Sequence, residues 1–224
     1  MRLYYDPSST TCRPVTLFAA EAGIDLDYIP VILFQQEHLQ PWFAELNPNQ
    51  TVPVLVDDGF VLTESSAILK YLADAAGSPA YPPAPKARAR VNERMDWFAT
   101  LFMHNVCYAL IYPRVIPHLR MSDATLAEYT KLMQPRGFQR LGVLDAWLAE
   151  TPYVCGDDIT LADYLGVSAA TLGELIDFDY SPWPNVQRWI AAMKARPAWS
   201  QTQCAFDGWK SAIRTASRGE LQPA

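Results

Sequence analysis

The sequence lacks the clustered positive charge of a nucleic-acid-binding protein. Its 224 residues carry a formal net charge of −6, and Lys and Arg are dispersed along the chain. Proteins that bind phosphate backbones usually present a basic face. We therefore expect no nucleic-acid partner.

Long apolar segments are also missing. The longest, residues 106–112, stops at Pro113 and is far too short to span a membrane. The first six residues lack the apolar core of a secretory signal. Half of the residues are hydrophobic and 19% are charged, which is typical of a globular protein. We expect a cytoplasmic protein with no membrane partner.

Cysteine and histidine are few and scattered. The four cysteines form neither a C-x-x-C pair nor a disulfide framework, and free thiols suit a reducing compartment. Three histidines are present, and no third ligand accompanies His104 and His118. We therefore expect no metal site. A G-x-S-x-G nucleophile elbow is absent as well, which argues against a serine hydrolase.

The first 77 residues are patterned as alternating strands and helices. Leu3 and Tyr5 alternate as a short strand, and Gly23 ends the periodic helix that follows. A second strand is expected over residues 28–33, at a sheet edge because of Pro30. With the later elements the order is β-α-β-α-β-β-α. This order predicts an α/β thioredoxin-like domain.

Residues 47–69 are the central segment of this predicted domain. Asp58 and Gly59 form a hairpin turn between two short apolar strands. Pro53 precedes the first of these strands, where a cis bond would turn the backbone of Val52 outward toward an extended ligand. The stretch therefore predicts backbone hydrogen bonds to a bound peptide.

Glu64, Ser65 and Ser66 open the next predicted helix. Ser65 or its neighbour is placed to cap that helix. The N–H groups and dipole of a helix start favour a carboxylate, and Glu64 suits an ammonium group. A peptide edge beside a carboxylate cradle fits a small peptide ligand.

A proline-rich stretch, residues 78–85, predicts a linker and a domain boundary. Beyond it the strand signal disappears, so residues 86–224 are expected to form an all-α helical domain. Pro135 predicts a kink or break in one of its helices, and Thr160 with Asp163 forms a capping box. Helices are predicted over residues 86–112, 123–149, 161–175, 184–195 and 200–215.

Ser9 is the most informative polar residue. It occupies the first position of S-T-T-C after the first strand, so disulfide exchange through that pair is excluded. Lowering a thiol pKa by about two units requires about 2.7 kcal/mol, and a charge-assisted hydrogen bond supplies about 1.5–3 kcal/mol. Ser9 can therefore stabilise a bound thiolate; its alternative role is a plain helix N-cap.

Other candidate residues have two open interpretations each. Cys12 is a low-pKa nucleophile or a buried packing residue. His38 is a surface residue or a carboxylate ligand. An apolar and aromatic stripe follows the linker and either packs in the core or lines a pocket facing Ser9. The pocket interpretation assigns four of its residues to a second substrate: Met103, Cys107, Tyr108 and Ile111.

Three segments together resemble a known family. They are Y-Y-D-P-S-S-T-T-C-R, T-V-P-V-L-V-D-D-G-F-V-L-T-E-S-S-A-I and I-T-L-A-D-Y. Along nearly its whole length the chain resembles the cytosolic glutathione transferases. The likeness is greatest to the serine-type members: the insect delta class, the theta class and related bacterial dehalogenases.

This resemblance implies a glutathione site. Ser9 would activate the glutathione thiol, and the backbone of Val52, next to the cis-proline, would pair with the cysteinyl part. Glu64 and Ser65 would hold the γ-glutamyl end, and His38 the glycyl carboxylate.

Two further positions in this site depart from the family pattern. Gln50 falls where delta members often have histidine, and it is expected to bind glutathione as well. Ser66 falls where they often have arginine; it is expected to bind glutathione, but without the charged clamp that arginine would provide.

The resemblance also implies a cytoplasmic, homodimeric detoxification enzyme that joins glutathione to a small hydrophobic electrophile. Three alternatives remain open at this point. They are a glutathione-dependent dehalogenase or peroxidase, a thiol reductase that uses Cys12, and a non-catalytic binding or scaffold module.

Overall fold

A four-stranded mixed sheet organises the N-terminal half in the computed structural model, which describes residues 1–219. The strands lie in the order β2-β1-β3-β4. β1 is parallel to β2 and antiparallel to β3, and β3 and β4 form a hairpin. This sheet and its helices confirm the thioredoxin-like prediction. The strands are β1 (Arg2–Tyr5), β2 (Asp27–Pro30), β3 (Val54–Asp57) and β4 (Phe60–Thr63), and the helices are α1 (Arg13–Glu21), α2 (Pro41–Leu46) and α3 (Ser65–Ala75).

Three local sequence signals in this half are confirmed. Asp58 and Gly59 both have positive φ values, 46° and 86°, as a type I′ hairpin turn requires at its two central residues. Gly23 follows α1 with φ 65°, in the left-handed conformation that favours glycine after a helix. β2 is an edge strand, as Pro30 predicted, although it is shorter than expected.

The second half consists of helices and the turns that connect them, with no β-strand among its described residues. One helix, α6, continues through Pro135, so the predicted break does not occur. Residues 220–224, the end of the predicted helical domain, lie outside the described residues. The helices are α4 (Pro85–Trp97), a π-helix (Phe98–Ile111), α5 (Tyr112–Val115), α6 (Asp123–Leu148), α7 (Leu161–Ala170), α8 (Pro184–Lys194), α9 (Trp199–Thr202) and α10 (Cys204–Gly219).

The predicted capping box at the start of α7 is present. Asp163 accepts hydrogen bonds from the backbone N–H and the hydroxyl of Thr160, at 2.8 and 3.0 Å. Its other oxygen accepts from the N–H of Val154 and from the indole N–H of Trp189, at 2.9 and 3.0 Å. The box therefore fixes both the start of α7 and its contact with α8, and satisfies a buried carboxylate that would otherwise be costly.

Residues 76–84 connect α3 to α4 and pack against the helical half. The carbonyl of Ala80 accepts a hydrogen bond from the N–H of Leu161 at 3.0 Å, and Tyr81 is buried. One cluster of buried side chains spans both halves of the chain. A domain boundary in residues 78–85 thus stays a prediction. None of the helices within residues 1–219 has the length and apolar character needed to cross a membrane.

The π-helix is a departure from the predicted regular helix over residues 86–112. It packs against α6 and α7 at two glycines. A Cβ atom on Gly137 would lie 2.5 Å from Leu110 Cδ1, and one on Gly166 would lie 2.4–2.8 Å from three ring carbons of Phe98. Both contacts are closer than a methyl group allows, so these two glycines permit the close approach of the helices.

We expect Gly166→Ala to destabilise the protein by about 1–3 kcal/mol, because the added methyl group overpacks a filled core. Gly142→Ala is the matched control. Its Cβ would have its nearest neighbour, Trp183 Nε1, at 4.0 Å, and alanine favours a helix over glycine by up to about 1 kcal/mol. Urea unfolding measures both variants. Equal stability of the two would contradict the close packing of Gly166 on Phe98.

Candidate active site between the two halves

Four connecting segments leave the sheet at the same end. Tyr4 of β1 pairs with Val54 of β3, which pairs with Thr63 of β4. The turn after β1, the segment before β3 and the start of α3 therefore meet. Tyr5 pairs with Pro30, so the loop after β2 joins them. Every residue predicted from the resemblance to bind glutathione lies in one of these four segments.

Asp6 orders two of these segments. Its Oδ1 accepts hydrogen bonds from the N–H and the hydroxyl of Ser8, at 2.8 and 2.6 Å, and its Oδ2 accepts from the N–H of Leu33 at 2.9 Å. Asp6 is only 2% exposed. Sequence analysis did not select it, although aspartate two residues before serine is a common turn-forming pattern.

Ser9 lies beside the segment that precedes β3. The Ser9 and Thr11 hydroxyl oxygens are 3.0 Å apart, and the Thr11 hydroxyl donates to the Val52 carbonyl at 2.8 Å. The Val52–Pro53 bond is cis, as predicted. A two-hydroxyl chain thus joins Ser9 to the backbone at the cis-proline.

Ser9 is not the N-cap of α1. That position belongs to Cys12, whose side chain makes no capping hydrogen bond. The Ser9 carbonyl instead accepts hydrogen bonds from the N–H groups of Cys12 and Arg13, at 3.1 and 3.0 Å. The plain N-cap alternative is therefore wrong, and the Ser9 hydroxyl is not used to satisfy a helix end.

Cys12 is completely buried. Burial raises the pKa of its thiol to about 12, so the thiolate that disulfide exchange requires is scarce at neutral pH. Its side chain packs with an apolar cluster that includes Val31, Phe43 and Val54. These observations favour the packing interpretation over the reductase alternative.

Arg13 connects α1 to the helical half. Its guanidinium donates to the Ser168 carbonyl and the Thr171 hydroxyl, at 3.2 and 2.8 Å, and to Gln203 Oε1. It also lies 3.7 Å from the centroid of the Phe206 ring. Burial lowers the pKa of Arg13 to about 9, so the group stays protonated at neutral pH.

The start of α3 has an unusual backbone. Glu64 occupies the N-cap position with φ 67° and makes no side-chain capping bond, and Ser65 is the first residue of the helix. The prediction that a side chain caps this helix is wrong. The first intrahelical bond runs from Ile68 to the Glu64 carbonyl at 2.9 Å, which leaves the N–H groups of Ser65 and Ser66 for other acceptors. Gln50 also has a positive φ, 53°; such strained residues cluster at functional sites.

A cavity of about 720 Å³ separates Ser9 from the helical half. Ser9 and His38 line it, and the other predicted glutathione ligands are not among its lining residues. Phe34 and Trp209 contact each other across the two halves, with ring centroids 5.7 Å apart. None of the lining residues is Asp, Glu, Lys or Arg. The helical wall is formed by Tyr108, Tyr112, Ile116, Pro117, His118, Leu119 and Trp209.

The predicted second-substrate residues are partly misplaced. Tyr108 lines the cavity, but Cys107 and Ile111 are fully buried in the core, and Met103 is not among the lining residues. Tyr112, one turn after Tyr108, lines the cavity instead. Tyr112 belongs to the predicted apolar and aromatic stripe, and its i, i+4 spacing from Tyr108 is the sequence signal that places both rings on one wall.

Tyr112 and His38 contribute polar atoms to the cavity. The Tyr112 hydroxyl donates to the Thr10 hydroxyl at 2.8 Å, and burial raises the pKa of Tyr112. His38 Nδ1 is buried and has no hydrogen-bond partner among the described residues. Within the described part of the chain, no group of three or more His, Cys, Asp or Glu side chains could hold a metal ion.

Two family descriptions match this chain. "Glutathione S-transferase, N-terminal domain" matches residues 8–75, and "Glutathione S-transferase, C-terminal domain" matches residues 102–197. The first match covers the four connecting segments at the end of the sheet. The second covers most of the helical wall of the cavity.

Solved structures agree with these matches. A delta-class glutathione transferase from Nilaparvata lugens is 33% identical, with 95% of this chain and 99% of that chain covered and a TM-score of 0.82. An epsilon-class enzyme from the housefly, Musca domestica, is 25% identical, with 96% and 97% covered and a TM-score of 0.81. A diazinon-metabolizing glutathione S-transferase from the silkworm, Bombyx mori, is 28% identical, with 95% and 98% covered and a TM-score of 0.79. This chain therefore belongs to the cytosolic glutathione transferase family and is a glutathione transferase.

Proposed function

We propose that Ser9 activates the glutathione thiol and that the thiolate attacks a small hydrophobic electrophile in the cavity. One observation carries this proposal: the Ser9 side chain borders the cavity and is also linked through Thr11 to the Val52 carbonyl. A tripeptide that pairs with the backbone at Val52 would bring its cysteine sulfur next to Ser9.

The surrounding residues fit the rest of the tripeptide. The N–H groups of Ser65 and Ser66 at the start of α3 suit the γ-glutamyl carboxylate, and the carboxylate of Glu64 suits its ammonium group. His38 is proposed to bind the glycyl carboxylate, since its Nδ1 has no partner in the described residues. Gln50 supplies an amide donor from the same end of the sheet.

The proposed reaction is a nucleophilic displacement or addition. The glutathione thiol releases its proton to solvent, and the Ser9 hydroxyl donates a hydrogen bond to the thiolate. The sulfur then forms a bond to the electrophilic carbon, and a leaving group, where there is one, departs with the bonding electron pair. Ser9 itself gains and loses no covalent bond.

The cavity favours a particular type of second substrate. Its helical wall presents the rings of Tyr108 and Trp209, and no Asp, Glu, Lys or Arg side chain is among its lining residues. Apolar and aromatic compounds are therefore expected to be held by burial and ring contacts. Detoxification of such electrophiles in the cytoplasm is the proposed role.

A homodimer through the helical half is part of the proposal. Leu101 on the π-helix and Leu132 on α6 expose 43% and 67% of their surface, and these two helices pack together. Association would remove this apolar surface from water.

We expect the wild-type enzyme to sediment as a dimer at equilibrium. Leu132→Glu should weaken the dimer, because a charge would be placed in the apolar contact. A monomeric wild-type enzyme at assay concentrations would contradict the proposed homodimer.

Ser9→Ala is expected to raise the pKa of the bound glutathione thiol by about one to two units and to lower kcat/KM about 10- to 100-fold below neutral pH. The reason is the loss of one charge-assisted hydrogen bond to the thiolate. The rate of conjugation to a chloronitrobenzene-type acceptor measures the effect.

Cys12→Ala is the matched control, three residues along the same turn. It should keep near wild-type conjugation, because its thiol is buried and protonated. Ser9→Ala with unchanged turnover would remove Ser9 from the mechanism, and loss of activity only in Cys12→Ala would favour the reductase alternative.

His38→Ala is expected to raise KM for glutathione about tenfold or more with little change in kcat, because a contact to the distant carboxylate is lost equally from substrate and transition state. His118→Ala tests the other histidine of the same cavity, on the helical wall. It should leave KM for glutathione unchanged. The same KM effect in both variants would contradict the assignment of His38.

A further inference from the structure

The hydrogen bonds between Ser9, Thr11 and Val52 have a definite direction. A hydroxyl group donates one hydrogen bond, and Thr11 uses its only proton on the Val52 carbonyl at 2.8 Å. The 3.0 Å contact between the two hydroxyls must therefore be donated by Ser9. In this arrangement the Ser9 proton points toward Thr11, and Thr11 occupies a lone pair of the Val52 carbonyl.

This direction is opposite to the one that thiol activation needs. To stabilise a thiolate, Ser9 must donate its proton to sulfur, so its bond to Thr11 has to break. An extended tripeptide beside Val52 would, in turn, donate an N–H to the same carbonyl. A carbonyl has two lone pairs, so the ligand weakens the Thr11 hydrogen bond by sharing its acceptor and does not have to displace it. Both ends of the hydroxyl chain are thus affected by the same ligand.

We propose that Thr11 is a positioning residue whose hydrogen bond reverses when glutathione binds. A ligand N–H then donates to the Val52 carbonyl, Thr11 donates to Ser9 Oγ, and Ser9 donates to the sulfur. The reversal needs rotation of two hydroxyl protons, and no covalent bond forms or breaks. It rests on the proposed function, because it assumes that the tripeptide pairs with Val52.

Reversal would couple main-chain binding to sulfur activation. Each hydroxyl of Ser9 and Thr11 donates a hydrogen bond in both arrangements, so no buried donor is left unsatisfied. A hydroxyl that accepts a hydrogen bond is also a stronger donor to the next group. Thr11 would therefore strengthen the Ser9 hydrogen bond to the thiolate without contacting the reacting atoms.

The Cys12 thiol lies beside both hydroxyls, and burial raises its pKa to about 12, so the thiol is protonated at neutral pH. Thr11 and Ser9 are half-buried, so solvent has limited access to the two hydroxyls. The alternative to reversal is simple competition, in which Thr11 withholds the Ser9 proton from sulfur.

Thr11→Val and Thr11→Ser separate these two possibilities. Valine keeps the shape of threonine without its hydroxyl, and serine keeps the hydroxyl. Reversal predicts that Thr11→Val raises the pKa of the bound glutathione thiol by about half a unit to one unit and lowers kcat/KM about three- to tenfold, the effect of one neutral hydrogen bond. Thr11→Ser should match the wild type. Ultraviolet absorbance of the bound thiolate against pH measures the thiol pKa directly.

Each other outcome has a distinct meaning. A lower thiol pKa in Thr11→Val would establish competition and overturn the reversal, and an unchanged pKa would make Thr11 a bystander. Thr11→Ala repeats the test if the valine variant does not fold. The double variant Ser9→Ala/Thr11→Val should lose no more activity than Ser9→Ala alone; a full additional loss would overturn the path through Ser9.

Failure of the proposed function would look different. If wild-type protein does not bind glutathione in calorimetry, or if Ser9→Ala alone leaves the thiol pKa unchanged, the role of Ser9 fails whatever Thr11 does. If both of these tests succeed and Thr11→Val has no effect, only the reversal fails.

Discussion

The buried guanidinium of Arg13 is the interaction on which the active-site geometry depends. A fully buried charge is costly unless its donors are paired, and here Ser168, Thr171 and Gln203 accept from it while Phe206 covers its face. All four partners belong to the helical half. Arg13 is also the first residue of α1, and its N–H donates to the Ser9 carbonyl. The contact that joins the two halves thus also fixes the turn that carries Ser9.

The end of the sheet supplies the second constraint. Strand pairing brings four connecting segments together, and Asp6 ties two of them through its two carboxylate oxygens. The glutathione ligands proposed above are therefore contributed by separate parts of the chain that a single sheet aligns. Non-glycine residues with positive φ occur in three of these segments, at Gln36, Gln50 and Glu64, and strained residues of this kind are common at functional sites.

The sequence predicted best what depends on neighbouring residues. The hairpin turn at Asp58, the glycine after α1 and the capping box at Asp163 are local features with local causes. It could not predict contacts between distant segments. The sequence does not show that Arg13 is buried, because Gln203 and Phe206 are far along the chain. The two interpretations of Cys12 could not be separated, because its burial depends on Val31, Phe43 and Val54.

The cavity wall shows a further limit, because the expected helical period did not apply. Residues 98–111 form a π-helix with i→i+5 hydrogen bonds, which changes the residues that share one face. An apolar stripe read at the ordinary period therefore could not separate the buried Cys107 and Ile111 from the cavity residue Tyr108. Tyr112, at the start of the regular helix α5, lies on the same wall.

The contact between Phe34 and Trp209 has a consequence for how such an enzyme can diversify. Phe34 lies in the loop after β2 and Trp209 lies in α10. Among the described residues, neither forms a hydrogen bond with Ser9, Thr11 or Val52. Both rings line the cavity, so substitutions at this aromatic pair change the shape of the cavity while the hydrogen bonds among Ser9, Thr11 and Val52 stay intact. In the proposed mechanism, selectivity for the electrophile and activation of the thiol can therefore evolve through separate substitutions.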